Sequence, residues 1–210
     1  MNNSPEDAQK YEDKVEVSPW AFFIMSKLVV QNSVLQAERD SALERSYRDG
    51  LTDAMNFRYL EEKVIPSMAR HIARKRHPNS PEKSNMYFGI ADIDKFKEVN
   101  DKYGHPIGDS VLKCVSESLA SCVRPDDIVG RYGGDEFYIV ATISNDIIVE
   151  PSELSELITK RCENTLKMKS DIVPDISMAF VKVDDYKTPE IAIGEADALM
   201  YFTKEQKTYI

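Results

Sequence analysis

Four carboxylates gather at two places in this 210-residue sequence. Asp92 and Asp94 close an apolar run, Met86 to Ile93, that reads as a buried strand. Asp135 and Glu136 directly follow a double glycine, Gly133-Gly134, set between two β-rich runs, Ile128 to Tyr132 and Phe137 to Ala141. A Gly-Gly pair between such runs signals a hairpin, because a tight turn needs positive φ. If the hairpin lies beside the Asp92 strand, Asp92, Asp135 and Glu136 share one site. Carboxylates at strand ends are costly to desolvate unless a cation pairs with them. Hard oxygen ligands clustered in this way suit Mg²⁺, which takes one or two carboxylates together with substrate phosphates. Two such ions side by side support in-line attack on a phosphate. Any one of these acids, taken singly, reads as a solvated turn residue. Four of them beside two strand ends and a double glycine favour a metal site.

The phosphate side follows directly. Lys95-Phe96-Lys97 leaves the acidic strand end and enters a helical stretch, and such a turn presents backbone N–H groups to an anion. Neither Gly-x-x-x-x-Gly-Lys-Ser/Thr nor Gly-x-Gly-x-x-Gly occurs, so a nucleotide is not held as in a P-loop or Rossmann protein. Between the two regions lies Asn100-Asp101-x-Tyr103-Gly104-His105-x-x-Gly108-Asp109. An Asp accepts from the amino and ring N–H pair that guanine offers, and an Asn both donates and accepts. The alternative for the same residues is turn-making and capping. His105 alone reads as structural.

The elements that must position these groups are legible in outline. Lys and Arg number 27 against 36 Asp and Glu, a net charge of −9, with 42% apolar residues. That is ordinary globular composition, sized for one domain with an attachment. An acidic chain is a poor non-specific binder of nucleic acid. The sequence has no apolar run long enough to span a membrane and no signal-peptide pattern. Three cysteines, Cys114, Cys122 and Cys162, have no CxxC spacing and fit reduced thiols in the cytoplasm. Residues 1–17 read as a loose acidic tail. Ser18-Pro19 starts a helix over residues 18–48, with Ser as cap and Pro at the first helical position. Ala21, Leu28, Leu35 and Ala42 recur every seven residues, while Gln31, Glu38 and Arg45 between them are polar. This helix either packs on its own domain or pairs with a second copy in a coiled coil. From residue 49 onward, Phe57, Leu60, Val64, Met68 and Ile72 keep helical spacing, with Pro66 as a kink. Helices over 111–123 and 152–168, a strand over 176–183 and a last helix opened by Thr188-Pro189 complete an α/β sandwich with a central mixed sheet flanked by helices.

Arg131-Tyr132-Gly133-Gly134-Asp135-Glu136-Phe137 resembles the signature of the GGDEF family of diguanylate cyclases. The block from Asp92-Ile93-Asp94-x-Phe96-Lys97 through Asn100-Asp101 to Gly108-Asp109 resembles that family's second block. Asp49-Gly50-Leu51-Thr52-Asp53-x-x-Asn56-x-Arg58 resembles its opening motif, and Ala196-Asp197 to Lys204 its C-terminal helix motif. The likeness runs over about residues 45–207, with four blocks in the right order.

The resemblance implies a palm-like α/β domain that condenses two GTP into cyclic di-GMP with release of two pyrophosphates. It implies two Mg²⁺ ions, with Mn²⁺ as a substitute, held by Asp92, Asp135 and the Ile93 carbonyl. Glu136 would assist at the metals and Asp135 in deprotonating the attacking 3′-hydroxyl. Asn100 and Asp109 would read guanine, Asp109 favouring guanine on both sides of the product. Gly133 and Gly134 would let the turn lie against the nucleotide. The Phe96 and Lys97 N–H groups and the Lys204 side chain would hold the β- and γ-phosphates. Because each site holds one GTP, catalysis needs a homodimer, which a dimerising N-terminal helix would promote. Arg124 and Asp127 match the family's Arg-x-x-Asp inhibitory site, where product binds; the alternative is a loop ion pair. Where the family commonly has Gly-Arg-Asn after the C-terminal lysine, this chain has Lys207-Thr208-Tyr209, which weakens the expected hold on GTP. A silent receptor for GTP or cyclic di-GMP, and a polymerase-like palm acting on nucleic acid, are the competing readings. The second requires salt-dependent binding to DNA or RNA.

Overall fold

The computed structural model describes residues 18–77 and 82–208. The acidic stretch 1–17, expected to be a loose tail, lies outside the described residues. The chain divides into two compact units, one ending at Ser46 and the other beginning at Tyr47.

The first unit is helix α1, Pro19–Ser46. Ser18 caps it, its Oγ accepting from the Ala21 N–H at 3.2 Å. None of its residues is buried. At 100° per residue, the consecutive apolar side chains Phe22, Phe23, Ile24 and Met25 surround the axis instead of forming one stripe. None of the helices among the described residues is long and apolar enough to cross a membrane.

The second unit is built on four strands: β1 (Ser84–Ile93), β2 (Ile128–Gly133), β3 (Glu136–Ser144) and β4 (Ile176–Lys182). They pair in the order β2-β3-β1-β4. Each of the three strand pairs is antiparallel, so the sheet is not mixed as expected; a single isolated bridge, Met55 to Gly130, runs parallel. The reason is connectivity. The crossover from β1 carries the chain past β3 before β2 begins, and β4 returns on the opposite side of β1. The central strand thus meets only strands that run against it.

β1 is buried on both faces, and its side chains divide by parity. Tyr87, Ala91 and Ile93 join Phe137, Ile139 and Phe180 in a core covered by α5 (His105–Cys122) and α6 (Pro151–Lys169). Met86, Phe88 and Ile90 join Tyr138, Val140 and Val181 on the other face. There they meet α3 (Ile65–Lys75) and α7 (Pro189–Thr208), which contribute Met68, Ile72, Ala192, Ala196 and Met200. A strand buried on both sides reads as a continuous apolar run rather than an alternating one.

Two regions differ from the sequence-based reading. The helix expected around Pro66 is composite: α2 (Phe57–Tyr59) runs into a π-helical turn, Leu60–Val64, and then into α3. Pro66 follows the π turn directly, in the first turn of α3. The extra residue of the π turn absorbs the phase shift, so Leu60, Val64, Met68 and Ile72 are all buried. Phe57 instead remains half-exposed and meets Tyr132 edge-on. The second difference is that the helical stretch entered at Lys95-Phe96-Lys97 is a separate helix, α4 (Phe96–Tyr103), and α5 starts six residues earlier than the apolar pattern suggested.

β4 is an edge strand, and side chains occupy its outward backbone groups. Phe180 N–H donates to Ser155 Oγ at 2.9 Å, and Ile176 C=O accepts from Lys207 Nζ at 2.6 Å.

At the opposite side of the sheet, Gly130 makes room for Tyr138: a Cβ at Gly130 would overlap the phenol ring. Tyr138 is fully buried, and its hydroxyl donates to Asn56 C=O at 3.0 Å. Gly130→Ala is therefore expected to destabilise the domain by about 1–3 kcal/mol, the range for overpacking. In urea titration the midpoint should fall while the slope m stays constant.

Candidate functional site

The register of β1 against β3 pairs Asp92 directly with Glu136. Opposed residues in an antiparallel pair point to the same face, so the two carboxyls project together at the carboxyl end of β1. Asp135 sits in the turn just before, and its carbonyl accepts from the Ile93 N–H at 3.3 Å. The backbone thus places Asp92, Asp135 and Glu136 at the same end of the sheet. The Ile93 side chain is buried in the core, so only its backbone faces this cluster.

The electrostatics are those of crowded acids. Burial raises the Asp92 carboxyl above the usual carboxylate range, and Asp135 and Asp94 add to the rise, outweighing the pull of Lys204. Burial also raises Glu136, with Asp92, Asp135 and Asp197 contributing. The compensating charge comes from α7. Burial works against the Lys204 ammonium, yet its hydrogen bond to Asp92 raises its pKa overall. Lys204 Nζ donates to Asp92 Oδ1 at 2.5 Å. One turn on, Lys207 Nζ donates to Asp94 Oδ2 at 3.1 Å, and Ser177 Oγ donates to Asp94 Oδ1 at 2.7 Å. Lys204, expected at phosphates, therefore rests on the acid expected to hold metal. The sequence groups Asp94 with the acids that favour a metal site, whereas here Ser177 and Lys207 hold its carboxylate; the three-residue spacing of Lys204 and Lys207, which puts both on one helix face, is the sequence signal for that ion pair.

Among the described residues, no three His, Cys, Asp or Glu side chains form a ready-made metal cage. The donor set nonetheless suits a hard divalent cation. It is all oxygen, it places two carboxyls side by side, and burial, reinforced by the neighbouring acids, raises both above their ordinary values. A divalent ion that keeps few protein carboxylates and completes its shell with phosphate fits such a site.

The turn between β2 and β3 is held from outside. Gly134 has φ +55°, which a residue with a Cβ rarely adopts. Among the described residues, chain neighbours aside, no atom lies within 4 Å of where a Cβ would sit on Gly133 or Gly134, so the space over the turn is open there. Arg131, the first residue of the signature, braces the turn: its Nε and Nη2 donate to Gly134 C=O at 3.0 and 2.6 Å. Its Nη1 donates to Asp49 Oδ1 at 3.0 Å. The same Asp49 oxygen accepts from the Thr52 N–H at 2.9 Å and from Thr52 Oγ1 at 2.7 Å. Burial opposes the Asp49 charge, but Thr52 and Arg131 together hold its carboxyl below its ordinary value. Asp49 thus ties the opening motif to the signature turn.

After β1 the chain turns at Lys95, which has φ 54°, the left-handed conformation that costs a non-glycine residue about 1–2 kcal/mol. That turn starts α4 at Phe96, with the Phe96 and Lys97 N–H groups in its first turn. Asn100 lies on α4 and packs where α5 has Gly108, since a Cβ at Gly108 would run into its Oδ1. Asp109 is next in the chain and exposed. The two expected guanine readers are therefore neighbours.

Arg124 and Asp127 lie apart from the acids, lining a cavity of about 690 Å³ with Thr52, Met55 and Glu117. They form no ion pair with each other. Asp127 instead accepts from the Arg124 backbone N–H at 2.9 Å and from Thr142 N–H at 3.2 Å. Among the described residues the Arg124 guanidinium makes no hydrogen bond.

An antiparallel β2-β3-β1-β4 sheet, helices on both faces and acids at the central strand end define a palm-like α/β domain. Residues 46–209 match the family described as "Diguanylate cyclase, GGDEF domain", and the chain belongs to that family. It is 36% identical over 163 residues to "Diguanylate cyclase DosC" of Escherichia coli K12, a match covering 75% of this chain and 33% of that protein. It is 34% identical to "Diguanylate cyclase DgcZ" of the same organism, covering 77% of this chain and 51% of that one. The chain thus spans a third to half the length of these relatives. A crystal structure of the coiled coil and GGDEF domain of DgcB from Caulobacter crescentus, in complex with c-di-GMP, shares the fold at TM-score 0.68 and 19% identity. That likeness covers 87% of this chain and 93% of that one.

The raised Glu136 carboxyl has a consequence for stability. Below its unfolded value, about 4.3, both folded and unfolded states carry the proton and no penalty arises. As pH rises through that value to the higher folded one, the fold is penalised for its ionisation, and the penalty persists above. Glu136→Gln should therefore raise Tm at pH 7 and leave it unchanged near pH ~3. Melting curves of both proteins across that range check this.

Proposed function

We propose that this chain is a diguanylate cyclase that condenses two GTP into cyclic di-GMP and releases two pyrophosphates. The observation that carries this reading is the Asp92–Glu136 pair, set across β1 and β3 beside the glycine turn of a GGDEF-family chain. In this reading Asp92, Asp135 and the Ile93 carbonyl hold two Mg²⁺ ions, with Glu136 assisting. Bound there, the ions would neutralise the triphosphate and stabilise charge developing at the α-phosphate.

The chain's own residues do the rest. Asn100 and Asp109 bind the guanine edge. The Phe96 and Lys97 N–H groups take the terminal phosphates at the start of α4. Lys204 exchanges Asp92 for phosphate when nucleotide arrives. Gly133 and Gly134 leave the space over the turn open for the nucleotide. Asp135 helps remove the proton of the 3′-hydroxyl. The hydroxyl oxygen then bonds to the α-phosphorus of the facing GTP, the bond to pyrophosphate breaks, and repetition on the other side closes the ring. Two protomers must face each other, and the exposed apolar side chains of α1 support association through that helix. A substrate of the nucleotide pool and three free thiols suit the cytoplasm.

Product feedback is part of the proposal. The Arg124 guanidinium, which makes no hydrogen bond among the described residues and lines a 690 Å³ cavity, supports binding of a guanine edge or phosphate there, while Asp127 keeps the loop shaped.

The test incubates purified protein with GTP and Mg²⁺ and separates the nucleotides by chromatography. Wild type should yield cyclic di-GMP. The Asp135→Ala, Glu136→Ala double variant should lose about 10²-fold or more of the rate, as expected when groups that stabilise charge are removed. Arg124→Ala should abolish an early plateau without slowing the initial rate. Absence of product from wild type at high protein concentration, with GTP still bound, would replace the cyclase reading with that of a receptor.

A further inference from the structure

Asp94 stands two residues past Asp92, yet its surroundings differ. One donor engages each carboxylate oxygen: Ser177 Oγ at Oδ1, 2.7 Å, and Lys207 Nζ at Oδ2, 3.1 Å. Its own N–H donates to Asp175 C=O at 2.9 Å. Lys207 Nζ donates a second time, to Ile176 C=O at 2.6 Å. A single ion pair therefore joins three elements: the end of β1, the start of β4 and the last turn of α7. The pair is partly shielded, with side-chain exposures of 40% for Lys207 and 12% for Asp94.

We infer that Asp94 and Lys207 form a positioning latch for the C-terminal turn of α7, serving nucleotide affinity rather than the chemical step. The inference rests on the reading above that Lys204 meets the phosphates. Two physical effects support it. Lys204 and Lys207 lie three residues apart on one helix face, so anchoring Lys207 fixes the stem from which Lys204 reaches. Helix ends fray unless tied, and a lysine stem is flexible on its own. Second, Asp94 adjoins the turn that leads to the Phe96 and Lys97 N–H groups. Stripped of Lys207, its charge would repel a triphosphate arriving there. Both effects act on bound nucleotide and leave the reacting atoms untouched.

The test uses the full chain carrying Lys207→Ala, Lys207→Arg, Asp94→Asn, or Lys207→Ala with Asp94→Asn. Binding of a non-hydrolysable GTP analogue is measured by calorimetry, kcat by product formation, and backbone hydrogen exchange over residues 203–207. Lys207→Ala should weaken analogue binding about tenfold, the low end for losing a supporting partner, with kcat changed less than about threefold. Lys207→Arg, which keeps the cation, should restore binding. The double variant should bind no worse than Lys207→Ala, because removing Asp94 also removes the repulsion. Exchange over residues 203–207 should quicken in Lys207→Ala. Unchanged analogue binding, a fall in kcat at constant affinity, additive losses in the double variant, or unaltered exchange would each overturn the latch. Wild type that binds the analogue but makes no cyclic di-GMP overturns the cyclase reading instead, and the binding and exchange results still decide the latch.

Discussion

Two carboxyls opposed across neighbouring strands are the constraint around which the rest of the domain is arranged. The β1–β3 register that buries Tyr87, Phe88 and Ile90 on both sides of the sheet also sets Asp92 opposite Glu136. Slipping the register by one residue would relieve the like charges but turn every core side chain to the wrong face. The core therefore enforces a pairing that electrostatics alone would reject, since like charges directly opposite one another destabilise a sheet. The compensation arrives from far along the chain, through Lys204 on a helix more than 100 residues later.

A second constraint acts on the turn itself. Two adjacent glycines leave the β2–β3 connection with little stiffness of its own. Arg131 supplies it from within β2, by gripping the Gly134 carbonyl and bonding to Asp49. Stiffness thus comes from a side chain behind the turn, while the space in front stays clear. Asp49 is itself held by Thr52, so a short loop at the start of the domain sets the shape of a turn more than 80 residues away.

Much of this was legible in the sequence. The apolar run ending in Asp92, the paired β-rich segments around the glycines and the capped start of α1 all appear as expected, because each depends on local pattern. The α/β class followed from element order. The strand directions did not, since direction in a sheet depends on which strand lies beside which, and no local signal reports that. The π turn at Leu60–Val64 escaped because the helical spacing it repairs looks unbroken in one dimension. The separate extent of α4 was not legible because Phe96–Tyr103 is short and its apolar stripe, Phe96 and Val99, is only partly buried. At the site, the acids and glycines stood out by type and spacing. Asp49, Arg131, Ser177 and Lys207 act through partners distant in the chain, so their roles became visible only with the fold.

An open sheet edge is a template on which another copy can continue the ladder without limit. In β4 the Ser155 hydroxyl and the Lys207 ammonium already fill outward positions, at Phe180 and Ile176. A domain proposed to work face to face with its own copy is thereby hindered from joining that copy edge to edge, so that encounter between protomers stays productive and does not lead toward polymer.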